Sequence, residues 1–77
     1  MRLRDTLALN LQREMTARRL SQSELARRCG AAPARINEIL HGKYAATLDT
    51  IERLSAALGV PPGVLLMPIE APASAAS

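Results

Sequence analysis

Leu7, Leu11 and Met15 recur at every fourth position, with Leu3 one turn earlier, and polar or charged residues fill the faces between them. That spacing predicts an amphipathic helix from Thr6 to Arg18, with Asp5 as its N-cap. Ser21 and Glu24 then stand at capping-box spacing, and Leu20 and Leu25 flank them as a hydrophobic staple. A second helix is therefore predicted over Gln22–Cys29, stopped by Gly30, where a left-handed residue is ordinarily needed. Pro33 suits a first helical position and opens a third helix that runs to Leu40. Its inward stripe is Ile36, Ile39 and Leu40. The opposite side carries Ala34, Asn37, Glu38 and His41, with Arg35 at its edge.

Gly42 closes the third helix, and Lys43-Tyr44-Ala45-Ala46 reads as a loop. Thr47 caps a fourth helix with Leu48, Ile51, Leu54 and Leu58 on its apolar positions, ending at Gly59. Val60-Pro61-Pro62-Gly63 turns the chain, and Val64 to Met67 allows one more helical turn. From Pro68 onward an Ala/Pro/Ser-rich stretch has no periodicity and reads as a disordered tail. The expected organisation is one all-α domain over residues 1–67 and a tail over 68–77.

Composition fits that palette. Apolar residues make up 48% of the chain and aromatics only 1%, so the core must be aliphatic, which suits short helices better than a sheet. A chain of 77 residues buries only about 60% of its unfolded surface, and self-association is a natural source of added stability. Ten basic against seven acidic residues give +3, a field that permits a phosphate-rich partner without demanding one. All the basic residues but Lys43 are Arg, whose planar fork suits phosphate and guanine.

The single cysteine, Cys29, excludes an intramolecular disulfide and reads as a small core residue. His41 has no Cys, His or carboxylate cluster to join, so neither a metal site, a cofactor nor an enzyme is expected. Met1-Arg2-Leu3-Arg4 lacks the apolar stretch of a signal peptide, and no run approaches the ~18 apolar residues of a membrane span. A cytoplasmic protein is the expectation.

Residues Gln22 to His41 satisfy the packing demands of a helix-turn-helix, in which two helices cross so closely that only certain side chains fit. Ala26 is small enough for the next helix to pass over it, Gly30 takes the tight turn, and Ile36 plugs the angle between the helices. Leu25, Cys29, Ala31 and Ile39 fill the other inward slots.

Ser21-Gln22-Ser23-Glu24-Leu25-Ala26, Gly30, Ile36-Asn37-Glu38-Ile39, His41-Gly42-Lys43 and Leu58-Gly59-Val60 together resemble the phage Cro/C1 repressor (XRE) family, over roughly Leu7 to Leu66. The resemblance implies a compact five-helix, lambda-repressor-like DNA-binding domain acting as a homodimeric transcriptional regulator, a repressor, on a palindromic operator. Three positions depart from the family pattern. Glu14 stands where an inward Leu is usual, with Met15 beside it. Ala32 replaces the Ser or Thr that usually caps the third helix, a change worth about 1 kcal/mol. Pro33 replaces a base-reading Gln.

The resemblance places the third helix in the major groove. Pro33, Ala34, Arg35, Asn37 and Glu38 are the implied base-facing positions. Arg35 suits guanine O6 and N7, Asn37 adenine, Glu38 cytosine N4 and Ala34 a thymine methyl. Arg35 and Glu38 equally suit a solvated helix pair. Gln22, His41, Lys43, Tyr44 and Thr47 are the implied phosphate contacts, the first and last sitting at helix N-termini. Arg18, Arg19, Arg27 and Arg28 read as solvated faces. Val60, Val64, Leu65, Leu66, Met67 and Ile69 exceed what one short helix needs, and Val60, Val64, Leu65 and Met67 are the expected dimer interface. A closed dimer sets its two reading helices roughly 34 Å apart. Two other functions share these features: an antitoxin that represses its own operon while binding a toxin, and a protein-interaction adaptor that has lost DNA binding.

Overall fold

The computed structural model describes residues 2–68. Among them are five helices: α1 Leu3–Arg18, α2 Gln22–Cys29, α3 Pro33–Leu40, α4 Leu48–Leu58 and α5 Pro62–Leu66. The tail expected over 68–77 lies, from residue 69 on, outside the described residues, as does Ile69.

α1 starts earlier than the periodicity predicts. Arg2 is its N-cap, and Asp5 sits inside the first turn, where its carboxylate accepts the backbone N–H of Arg2 at 3.1 Å. Asp5 therefore caps from within the helix, where its charge also meets the positive dipole end. At the other end Arg19 takes a left-handed conformation, φ 55°. Its N–H donates to Thr16 O and that of Leu20 to Met15 O.

Ser21 caps α2 as predicted, its Oγ accepting the Glu24 N–H at 3.1 Å. The reciprocal half of the predicted box is replaced by an ion pair, Glu24 Oε2 lying 3.6 Å from Arg28 Nη2. α3 opens on Pro33 with no side-chain cap from Ala32. Thr47 caps α4, accepting from Thr50 N–H at 3.2 Å. α5 begins two residues before the expected turn because Pro62 already fits a first helical position.

The core joins Leu7, Leu11 and Met15 of α1 to Leu25 and Ala26, Ile36, Ile39 and Leu40, Ile51, Leu54 and Leu58, and Leu65. Leu3 and Leu48, predicted as apolar-face positions, are exposed, Leu48 at 81%. Each is the first residue of its helix. Met15 fills the inward slot that Glu14 leaves, and Glu14 pairs instead with Arg18.

α1 also carries a second, polar set of ties. Asn10 is buried, and its amide donates to Leu65 O at 2.9 Å and Met67 O at 2.8 Å, at the end of α5. Gln12 donates to Leu40 O at the end of α3, and Arg18 Nε to Leu58 O at the end of α4, each at 2.9 Å. A helix's last carbonyls have no intrahelical donor. Three side chains of one helix supply those donors to three others.

Candidate nucleic-acid interface

The angle between α2 and α3 is set by the residues the sequence singled out. Gly30 has φ +72°, and the N–H of Ala31 reaches back to Ala26 O at 3.0 Å. Ala26 and Ile36 are buried at the crossing, and Cys29 and Ala31 pack half-buried against the core. With Ile36, Ile39 and Leu40 turned inward, Pro33, Ala34, Arg35, Asn37 and Glu38 all lie on the exposed side of α3.

Two of these are linked to residues outside α3. Asn37 Nδ2 donates to Gln22 Oε1 at 3.2 Å, joining a base-facing position to the start of α2. One N–H of that amide and its carbonyl oxygen remain for a partner, the set that pairs with adenine. Arg35 lies with Cζ 3.8 Å from the Tyr44 ring centroid, and its Nε is 3.5 Å from Glu38 Oε1. The helix pair that the spacing allowed is formed.

Gly42, at φ +68°, turns the chain out of α3, and the Lys43 N–H closes the turn on Glu38 O at 2.9 Å. The Lys43 side chain is exposed and in no ion pair among the described residues. His41 Nδ1 lies 2.8 Å from Asn37 O. A carbonyl only accepts, so Nδ1 donates this bond and Nε2 is left as an acceptor. Tyr44 is half-buried, packed against the core.

Gln22 and Thr47 stand at or before the first turns of α2 and α4, whose leading amides have no intrahelical acceptor. Asp49 would oppose an anion at α4, but Arg53 Nε lies 3.2 Å from its Oδ2. Arg18 is taken up by Glu14 and Leu58 O, and Arg28 by Glu24.

Of the residues expected at a dimer interface, Val60 and Val64 are half-buried and Met67 is 59% exposed. Leu65 is corrected: it is wholly buried in the protomer's own core, because the start of α5 at Pro62 turns it inward. Sequence reasoning missed Asn10, the Gln22–Asn37 bond and the Arg35–Tyr44 stack. Each joins residues on different elements, and only the α2–α3 crossing, which sets Gln22 beside Asn37, offered a signal for any of them.

Among the described residues, no group of three His, Cys, Asp or Glu side chains converges as a metal-ligand set, and no helix is long and apolar enough to cross a membrane.

Residues 9–65 match the family described as Helix-turn-helix. The Neisseria hypothetical transcription factor of Neisseria meningitidis serogroup B is 36% identical over 66 residues, a match taking in 86% of this chain and 62% of that protein. The chain thus spans less than two thirds of that relative's length. Among solved structures, the hypothetical transcription factor NHTF from Neisseria superposes with a TM-score of 0.85 at 33% identity, covering 97% of this chain and 83% of the other. The restriction-modification controller protein C.AhdI from Aeromonas hydrophila superposes with a TM-score of 0.78 at 27% identity, over 80% and 94% of the two chains.

Proposed function

The chain belongs to the helix-turn-helix family of Cro/C1 (XRE) type, and from that membership we propose that it is a sequence-specific DNA-binding transcriptional regulator. The observation that carries this reading is the exposed face of α3, where Arg35, Asn37 and Glu38 stand side by side with their heads already oriented. The starts of α2 and α4 add leading amides that have no intrahelical acceptor. α3 enters the major groove; Gln22, Lys43 and the start of α4 at Thr47 meet the phosphates on either side. Phosphate contacts set register and affinity, and the α3 side chains discriminate between sequences.

The regulator acts as a repressor and binds as a homodimer, the exposed Met67 with Val60 and Val64 forming the two-fold contact beside α5. Two-fold symmetry of the protein dictates a palindromic operator. The names of its relatives, a hypothetical transcription factor and a restriction-modification controller protein, support a transcriptional regulator. The DNA-binding unit is residues 1–67, with 68–77 as an appended tail, and the protein works in the cytoplasm on the nucleoid.

Selection of bound duplexes from a random pool, followed by titration of selected and scrambled duplexes across a salt series, tests the reading. A selected palindrome, with log affinity falling by about 0.9 per phosphate contact for each log unit of salt, is the expected result. No enriched sequence and no salt slope would refute it.

A further inference from the structure

Arg35 is held on two sides before any partner arrives: Tyr44 lies beneath it at 3.8 Å, and Glu38 meets its Nε at 3.5 Å. The geometry points to Tyr44 as a specificity-determining positioning residue, whose ring fixes the Arg35 guanidinium in the orientation that reads a base edge. This rests on the DNA-reading function proposed above.

A guanidinium stacks through its flat face, whereas its five N–H groups radiate in its plane. The Tyr44 ring therefore occupies the surface that hydrogen bonding does not use. Glu38 approaches through Nε, which leaves the terminal Nη1 and Nη2, both able to reach O6 and N7 of one guanine. The Arg35 side chain remains 43% exposed, so a base edge can reach it.

The shelf itself is fixed. Tyr44 packs against the core and sits between the Gly42 turn and the Thr47 cap. An unrestrained Arg gives up rotamer freedom when it docks and serves a phosphate as readily as a base. One already laid on a ring has surrendered part of that freedom and has one preferred direction. The sequence led to the expectation that Tyr44 contacts phosphate; here it is the ring that acts, through Arg35.

The test uses the whole chain with Tyr44→Phe, Tyr44→Leu, Arg35→Ala and the Arg35→Ala/Tyr44→Leu pair. Each is titrated against the selected duplex and against every single-base-pair variant of it. Arg35→Ala should abolish discrimination at one base pair. Tyr44→Leu should reduce discrimination at that same pair roughly 2- to 5-fold, the range of an exposed cation–π contact. Tyr44→Phe should keep it, and Tyr44→Leu should add no further loss in the Arg35→Ala background. Equal weakening on every duplex by Tyr44→Leu, or a loss from Tyr44→Phe as large as that from Tyr44→Leu, would overturn the inference. If specific binding survives and Arg35→Ala is neutral, the inference falls while DNA binding stands. Absence of any selected duplex removes the functional reading itself. Proton NMR of the wild-type chain supplies a check that needs no variant to fold: the Arg35 side-chain protons should be shifted upfield by the ring, and unshifted resonances would also overturn the inference.

Discussion

Replacing Asn10 by Ala should cost about 2 kcal/mol, and the structure shows why the figure has a ceiling. The Asn10 amide donates at 2.9 and 2.8 Å to Leu65 O and Met67 O. Two neutral hydrogen bonds contribute about 0.5–1.5 kcal/mol each, and a buried carbonyl left without a donor costs about 1–3 kcal/mol. α5 can escape that penalty by detaching and letting water reach its carbonyls. Detachment exposes Leu65, wholly buried in the native state, at a further cost of about 1.5–3 kcal/mol. The cheaper of the two routes sets the measured loss. For a domain of this size it corresponds to a fall in Tm of about 8–16 °C. Circular dichroism melts measure it, and amide exchange distinguishes the routes: protection lost only in α5 signals detachment. Asn10→Asp, whose carboxylate faces both carbonyls with like charge, should be worse at neutral pH and recover partly in acid, where a protonated carboxyl can donate once. A Tm for Asn10→Ala within about 3 °C of wild type would mean that Leu65 alone holds α5, and would refute the argument.

Three other outcomes follow from the turns and the proposed contacts. Gly30→Ala meets open space but keeps φ +72°, so backbone strain of about 1–2 kcal/mol, reduced by the smaller entropy of the unfolded chain, should leave a net loss near 1 kcal/mol in denaturant melts. Gly42→Ala should lose more, about 2 kcal/mol, because its Cβ would stand 2.8 Å from Asp5 Oδ1 and displace the carboxylate that caps α1; equal losses at the two glycines would remove Asp5 from the account. Lys43→Ala should weaken selected and scrambled duplexes alike and reduce the salt slope by about one ion; a loss confined to the selected sequence would make Lys43 a base reader instead.

The elements legible in the sequence were those whose signals are local. Ser21, Gly30, Pro33 and Thr47 mark helix boundaries by their own backbone chemistry, and the spans of α2, α3 and α4 follow from them. The stripe Leu7, Leu11, Met15 marks α1 but not its start, because Asp5 looks like an N-cap from sequence and instead caps from within the first turn. Asn10 was illegible for another reason. A buried amide on that same face breaks the apolar pattern, and its acceptors lie far along the chain on α5. The interface divides in the same way. Exposure of Arg35, Asn37 and Glu38 follows from helical period, whereas what holds each head still belongs to other elements. Hydrophobicity alone does not distinguish a core residue such as Leu65 from a contact residue.

The polar ties of α1 bear on how the chain comes to be folded during synthesis. Gln12, Arg18 and Asn10 bond to carbonyls 28, 40 and up to 57 residues downstream. α1 thus carries the donors that close helices made after it, and long-range closures of this kind are completed late. A fragment ending at Gly59 would leave the Asn10 amide without either α5 acceptor and Leu65's place in the core empty, and limited proteolysis should cut it readily where the whole chain resists. A translation product interrupted before α5 would then present the α2–α3 surface only on a chain too unstable to hold it, so that only chains extending through α5 would compete for DNA.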